Sequence, residues 1–367
     1  MSNQPPSPPA AAKSQSSLER RVLIPGRTIG LIIAAGLLFG LIAAYSKTFL
    51  TGYTQFVVSR LVAQFVLIAL AQAVCLVVGG MNLSVGGIGS LVTVALGLCL
   101  DPDYWGVSAW VAVPVALAVG CACGLVNGLL ITIVKINSFI VTLSTMFIFM
   151  GLRSGISGGN PYKVPDSFTV VGQGGITFEW FGAGPQKVIP YFFLIMLVVL
   201  IGVAYMYRNT VFGRRMLATG GNEDAARLSG IRTGRMIIGA NTLSGFFAAL
   251  AAVLYASELG SAAPETGDSW LIISFAVAII GGTGLDGGVI SALGILMGGI
   301  IYTLIQQGLT EVQANSYYQR VYFGLLILLA IAIDRGREVY GERKRQAPEA
   351  SAEHVAPPTT TPPDAGG

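Results

Sequence analysis

The sequence predicts an all-α polytopic membrane protein of about ten transmembrane helices, some short or glycine-broken, with both termini cytoplasmic. Three observations carry that prediction. Only 11% of the 367 residues are charged against 53% hydrophobic, and mean hydropathy is +0.70, where a soluble domain carries roughly 25% charge to cover its surface. A span needs about 20 apolar residues, and the chain supplies ten such stretches, several of them short. Lys and Arg are also unevenly distributed: with the N-terminus inside, sixteen of the 22 fall in inward segments and only Lys47, Lys163 and Lys187 in outward ones, as the positive-inside bias requires. The even number of spans then returns the C-terminus to the same side.

In order, the spans read 28–46, 56–78, 85–100, 109–134, 139–157, 188–207, 236–257, 269–282, 288–306 and 319–333. Residues 1–27 form a basic tail and 336–367 a second tail. Both are rich in Pro, Ala, Ser and Thr and are read as disordered; residues 28–335 make the membrane domain. Arg20, Arg21 and Arg27 precede an apolar stretch long enough to stay as an anchor. Asp101, Asp103, Asp166, Glu179, Glu258, Glu265, Asp268 and Glu311 face outward. Trp105, Trp110, Trp180 and Trp270 fall near outer boundaries, as an interfacial belt would. Glycine recurs every fourth residue at Gly36/Gly40, Gly120/Gly124/Gly128 and Gly294/Gly298, the spacing that lets helix backbones approach. Cys75, Cys99, Cys121 and Cys123 lie in apolar stretches without metal-ligand spacing and read as packing residues.

Several function classes lose support early. No Asp or Glu lies deep inside a predicted span, where a proton- or sodium-driven carrier places its ionisable groups. Arg153 is the one charge near a span end, placed to snorkel to the interface. The single histidine, His354, lies in the tail. An HExxH motif is missing, as is a GxxxxGK[ST] phosphate loop, so any ATP must be hydrolysed by a partner docking on the inner side. A small net charge of +4 gives no reason to expect nucleic acid.

Residues 208–236 offer such a docking surface. Asn222 is placed to cap a short helix with Glu223 and Asp224 in its first turn; Ala225, Ala226 and Leu228 form an apolar patch, and Gly230 ends the turn. Two glycine-rich breaks, Gly79–Gly87 and Gly281–Gly288, interrupt the apolar runs. Irregular backbone at membrane depth must be buried in protein or line a wet cavity, and broken helices often build transport sites; two tight interfacial turns are the plainer alternative. Asn82, Ser84, Thr142, Ser144, Thr145 and Thr283 are candidate pathway residues, because a hydroxylated solute needs replaceable hydrogen bonds. Each could equally satisfy its own helix backbone.

Four ordered motifs carry a resemblance. GGMNLSVGGIGSL is similar to the GG-(I/M)-(D/N)-LSVG signature of permease subunits of bacterial ribose-type monosaccharide ABC importers. INSFIVTLSTMFIFMGL resembles that family's P-F-(I/V)-x-TLGT segment, FGRRMLATGGNEDAARLSGI its cytoplasmic coupling segment, and GGTGLDGGVISALGILMGGIIYTLIQQGL its last glycine-rich region. The chain departs in carrying Asn82 where the family often has Asp, and Asn137 or Ser138 where it has Pro. The resemblance implies a non-enzymatic pore subunit, importing a monosaccharide or related polyol across the bacterial inner membrane. Its implied partners are ATPase subunits inside, a periplasmic sugar-binding protein outside and a second permease copy, expected as a homodimer. It implies no cofactor in this chain, ATP and Mg belonging to the ATPase, and makes Glu223–Leu228 the coupling helix. Nucleoside or branched-chain amino acid permeases of similar fold, and a secondary carrier, remain the alternatives.

Overall fold

The computed structural model describes residues 25–179, 185–313, 318, 321, 322, 324 and 325. Up to residue 314 the chain forms one compact unit. Its helices are α1 (Pro25–Tyr45), α2 (Gly52–Val77), α3 (Val85–Leu100), α4 (Ala109–Ile133), α5 (Ser138–Ser157), α6 (Asp166–Gln173), α7 (Tyr191–Asn209), α8 (Val211–Gly221), α9 (Glu223–Leu228), α10 (Thr233–Leu259), α11 (Trp270–Ile280) and α12 (Ala292–Glu311). Seven of them, α1, α2, α4, α5, α7, α10 and α12, are long and apolar enough to cross a membrane. The short α3 and α11 coincide with the short third and eighth spans of the sequence. In the second unit, residues 315–367, the described positions Tyr318, Val321, Tyr322, Gly324 and Leu325 are helical. Most of the tenth predicted span, residues 1–24 of the first tail, the second tail and Trp180 lie outside the described residues, and residues 25–27 of the first tail open α1.

The core is α2, buried along nearly its whole length, and around it the small residues decide which helices come close. Along α4, Gly120 meets Gly245 and Ala249 of α10, Gly124 meets Asn241, and Gly128 meets Ile238. The partner numbers fall as the glycine numbers rise, so the pair is antiparallel, and any Cβ on this stripe would strike opposing backbone. Gly294 and Gly298 of α12 pack in the same way on Gly281. The third expected stripe does not pack: Gly36 and Gly40 on α1 have open space around them, and α1 is largely exposed. It is held towards its C-terminal end, where Phe39 meets Phe49 edge-on and Ser46 donates to Glu311 at 2.6 Å.

The segment between α5 and α7 carries structure. Residues 158–190 contain α6 and three strands, of which β2 (Gly175–Glu179) and β3 (Pro185–Pro190) pair antiparallel. Strand β1 (Tyr162–Lys163) pairs with β4 (Ser261–Ala262), after which a 3-10 turn, Pro264–Gly267, leads into α11. Trp270 does not join an interfacial belt. It is buried with its ring over Gly89 of α3, because the turn before it dips inward until Gly267 and Gly86 touch backbone to backbone. Trp105 and Trp110 are exposed. Among the cysteines, Cys75, Cys99 and Cys123 are buried, Cys121 is half-buried, and all four are free.

At the end of α3, the Asp101 carboxylate accepts from the Asp103 N–H at 3.0 Å and the Lys163 N–H at 2.8 Å. Burial opposes its ionisation, but the two N–H groups and the Lys163 charge outweigh that and hold the carboxyl below the usual carboxylate range. A carboxyl depressed on folding stabilises the fold above its unfolded value, about 3.9, and that contribution is lost as pH falls through the folded value. The Lys163 amide should therefore lose protection from hydrogen exchange as pH drops below about 4, and Asp101→Asn should abolish that dependence. A second prediction concerns the stripe: Gly245→Val should leave membrane insertion intact but cost about 1–3 kcal/mol through overpacking, read as a lowered Tm of the purified protein.

Candidate functional site

The first break leaves α2 at Val77, turns through Gly79 (φ +77°) and restarts as α3 at Val85. The side-chain polar groups of Asn82 and Ser84 are satisfied internally. The Asn82 side-chain amide donates to Ser244 Oγ of α10 at 2.8 Å. Asn82 Oδ1 accepts from the Ser84 N–H at 3.0 Å and the Ser84 hydroxyl at 2.6 Å, and Asn127 of α4 donates to Ser84 Oγ at 2.8 Å. From α5, Ser138 Oγ accepts the Met81 N–H at 3.1 Å, and the Thr142 hydroxyl, donating to Ser138 O at 2.7 Å, stands beside the Met81 carbonyl. Ser244 lies roughly 17 Å and 22 Å from the two ends of α10 at 1.5 Å per residue. The knot of α2, α3, α4, α5 and α10 therefore sits near the middle of the longest helix.

The candidate pathway residues separate accordingly. Asn82, Ser84 and Thr142 come together at the break and are buried, with their hydrogen bonds spent on the fold. Thr145 is buried and donates to the Thr142 carbonyl at 3.2 Å. Ser144 is on the exposed face of α5. Thr283 belongs to the second break, buried, with a hydroxyl that has no hydrogen-bond partner.

The two breaks meet. The Gly288 N–H donates to the Val77 carbonyl at 2.8 Å. A methyl group added at Gly287 would lie 2.7 Å from Gly220 O and 3.0 Å from Gly79 N; one added at Gly288 would lie 2.8 Å from Gly221 Cα. Gly220 itself has no room for a Cβ, which would run into the Val77 carbonyl. The C-terminal end of α8 is thus seated where the two breaks touch. Gly288 (φ +73°) and Gly79 adopt left-handed backbone that disfavours side chains. Beside the junction a cavity of about 160 Å³ is lined by Tyr207, Arg208, Leu217 and residues 288–293.

The capped helix predicted at 223–228 is α9. Asn222 Oδ1 accepts the Ala225 N–H at 2.9 Å, and Gly230 (φ +81°) follows its end. Glu223 accepts from Arg227 at 2.8 Å and from the Thr233 hydroxyl at 3.1 Å, tying α9 to the start of α10. The expected apolar patch divides: Ala226 is buried, Ala225 is exposed, and Leu228 is 91% exposed, because a helix this short turns only one face inward. Sequence reasoning missed α8 and the seat of Gly220–Gly221; the GG pair was the available signal. It also missed Asn127 and Ser244, whose partners are distant in sequence. Arg153 does not snorkel: it is held inside by Ser90 at 2.9 Å, Asp268 at 2.6 Å and the Pro264 carbonyl. Glu258, near the end of α10, pairs with Arg60 of α2 at 2.9 Å.

Truncating Asn82 to alanine strands the Ser84 N–H and leaves the Ser84 and Ser244 hydroxyls to find new partners. At about 1–3 kcal/mol per stranded buried group, Asn82→Ala should lower stability by roughly 2–3 kcal/mol, measured as a drop in Tm in detergent or nanodiscs.

Comparison with known proteins adds a lineage to this geometry. A family model described as "Branched-chain amino acid transport system / permease component" matches residues 54–331. The chain is 31% identical over 307 residues to the ribose import permease protein RbsC of Escherichia coli (strain K12), covering 84% of this chain and 93% of that one. It is 30% identical over 313 residues to the galactose/methyl galactoside import permease protein MglC of Haemophilus influenzae, covering 81% and 91%. It is 34% identical over 270 residues to RbsC of Bacillus subtilis (strain 168), covering 73% and 80%. No solved structure matches the chain.

Proposed function

The chain belongs to the permease-component family of branched-chain amino acid transport systems, and from that premise we propose that it is the transmembrane subunit of an ABC importer for a monosaccharide. The carrying observation is its 31% identity across 93% of a ribose import permease. The family description, which names branched-chain amino acids, favours one second reading, an amino acid as solute. Uptake of labelled ribose, galactose and leucine by cells with and without the gene separates the two. Loss of sugar uptake alone is expected; loss of leucine uptake alone would overturn the sugar reading.

In this reading about ten spans cross the bacterial inner membrane, with both termini in the cytoplasm and a disordered tail at each end of the domain 28–335. An ATPase docks on the cytoplasmic side, a periplasmic binding protein delivers solute outside, and two copies of the chain frame the pore. ATP and its Mg belong to the ATPase. The coupling surface is Asn222, Glu223, Ala225, Ala226, Leu228 and Gly230, with Leu228 as its exposed apolar tip. Support for this comes from what lies behind α9: α8 ends against the backbones of both breaks, so a push on α9 reaches them through main-chain contacts alone. Asn82, Ser84, Thr142, Ser144, Thr145 and Thr283 are taken as the polar surroundings of the passage, with Asn82 and Ser84 shaping its backbone.

Two variants test the coupling. Glu223→Lys breaks the tie to Thr233, but an exposed pair such as Glu223–Arg227 contributes only about 0–1 kcal/mol. The expected result is unchanged insertion with transport and transport-linked ATPase activity reduced about tenfold or more. Gly220→Ala drives a methyl group against the Val77 carbonyl and should uncouple ATP hydrolysis from transport in the same assay. Normal transport by both variants would remove the assignment.

A further inference from the structure

Arg153 lies four residues before the end of α5 and contacts Ser90 of α3. Ser90 is six residues beyond Ser84 in the polar knot, so the guanidinium stands roughly 9 Å from that central level at 1.5 Å per residue. Half the hydrocarbon thickness is roughly 15 Å. A charge at this depth is expensive and, where it occurs, tends to mark a pathway.

All of its contacts run through one nitrogen. Nη1 donates to Ser90 Oγ at 2.9 Å and to the Pro264 carbonyl, and pairs with Asp268 Oδ1 at 2.6 Å. Nε is buried without a hydrogen-bond partner. The pair is lopsided: the Arg153 side chain is 13% exposed and that of Asp268 50%. Among the described residues, Asp268 Oδ2 has no partner. The turn carrying Pro264 and Asp268 reaches this depth because Gly267 meets Gly86 and its N–H donates to Ser90 Oγ at 3.1 Å. A simple latch would engage both groups fully. This one leaves donor capacity on the cation and an open oxygen on the anion, and the pair carries no net charge to trap an ion.

Neighbouring hydroxyls on a sugar ring present an acceptor oxygen and a donor O–H side by side, which a guanidinium beside a carboxylate matches. We propose that Arg153 and Asp268 form a contact point for the hydroxyl groups of the solute in the outer half of the translocation path. The guanidinium donates through its unengaged edge and the carboxylate accepts through Oδ2. This rests on the reading of the chain as a monosaccharide permease.

The test uses cells carrying the complete transporter, with labelled ribose and galactose as probes. Asp268→Cys is treated from outside with a membrane-impermeant thiol reagent. It should be labelled, and whichever sugar the cells take up should slow labelling several-fold, while sucrose should not. Asp103→Cys, on the exposed outer loop, should be labelled at one rate throughout. Separately, Asp268→Asn and Arg153→Lys should lower maximal uptake about tenfold without changing the amount of permease in the membrane or its Tm, readouts that a merely structural clamp would move. Failure of Asp268→Cys to label, labelling that ignores the sugar, or uptake that falls only in step with permease amount would each overturn the contact. Wild-type cells that take up neither sugar overturn the monosaccharide reading, and the contact with it.

Discussion

Backbone that leaves helical geometry inside a bilayer has no water to turn to, so its N–H and C=O groups must find partners within the protein. In the stretch from Gly79 to Ser84 the N–H groups of Gly79, Gly80, Met81 and Ser84 find such partners, two of them on side chains, and the rest of the structure is arranged around the way they do so. Asn82 gives its amide to Ser244 and its oxygen to Ser84, and Asn127 closes the network from α4. The bonds to Ser244 and from Asn127 together require α4 and α10 to lie almost in contact, which the glycine stripe from Gly120 to Gly128 allows. The close pairing of two long helices and the short restart of α3 are therefore one feature seen from two sides. An aspartate at position 82, the residue the resembled family often has, could accept from Ser244 but could not donate to it. Asparagine keeps the network neutral.

The second consequence is mechanical. Where α8 meets the two breaks, contact is between main chains, Gly220 and Gly221 against Gly287, Gly288 and Val77. Side chains can absorb a displacement by changing rotamer, whereas tightly packed backbones cannot. A shift of α8 is therefore passed on, and the cavity beside residues 288–293 gives that segment somewhere to go. The α4–α10 stripe, by contrast, leaves no room even for a methyl group at Gly120, Gly124 or Gly128.

Legibility in the sequence followed the range of the interaction. Nine of the ten predicted spans correspond to described helices, because hydropathy and glycine spacing act over one turn or one span. The Asn222 cap and the end at Gly230 were equally local and equally readable. What failed was information carried by distant partners. Nothing near Trp270 tells that Gly267 will meet Gly86 and draw the ring inward, and nothing near Arg153 announces Asp268. The same holds for the candidate pathway residues: that Asn82, Ser84 and Thr142 gather while Ser144 faces outward depends on how α5 is rotated against α3. Amphipathic periodicity cannot report that rotation in a helix apolar on every side. The stripe on α1 misled for a related reason, since small spacing permits close approach without supplying a neighbour.

The loose hold on α1 has a bearing on biosynthesis. Its tie to Glu311 joins residues 265 positions apart, so at roughly 5–20 residues per second the ribosome needs on the order of tens of seconds to deliver the anchoring carboxylate. Throughout that interval the nascent first helix must lodge in lipid unaided. Its largely exposed apolar surface is what lets it wait.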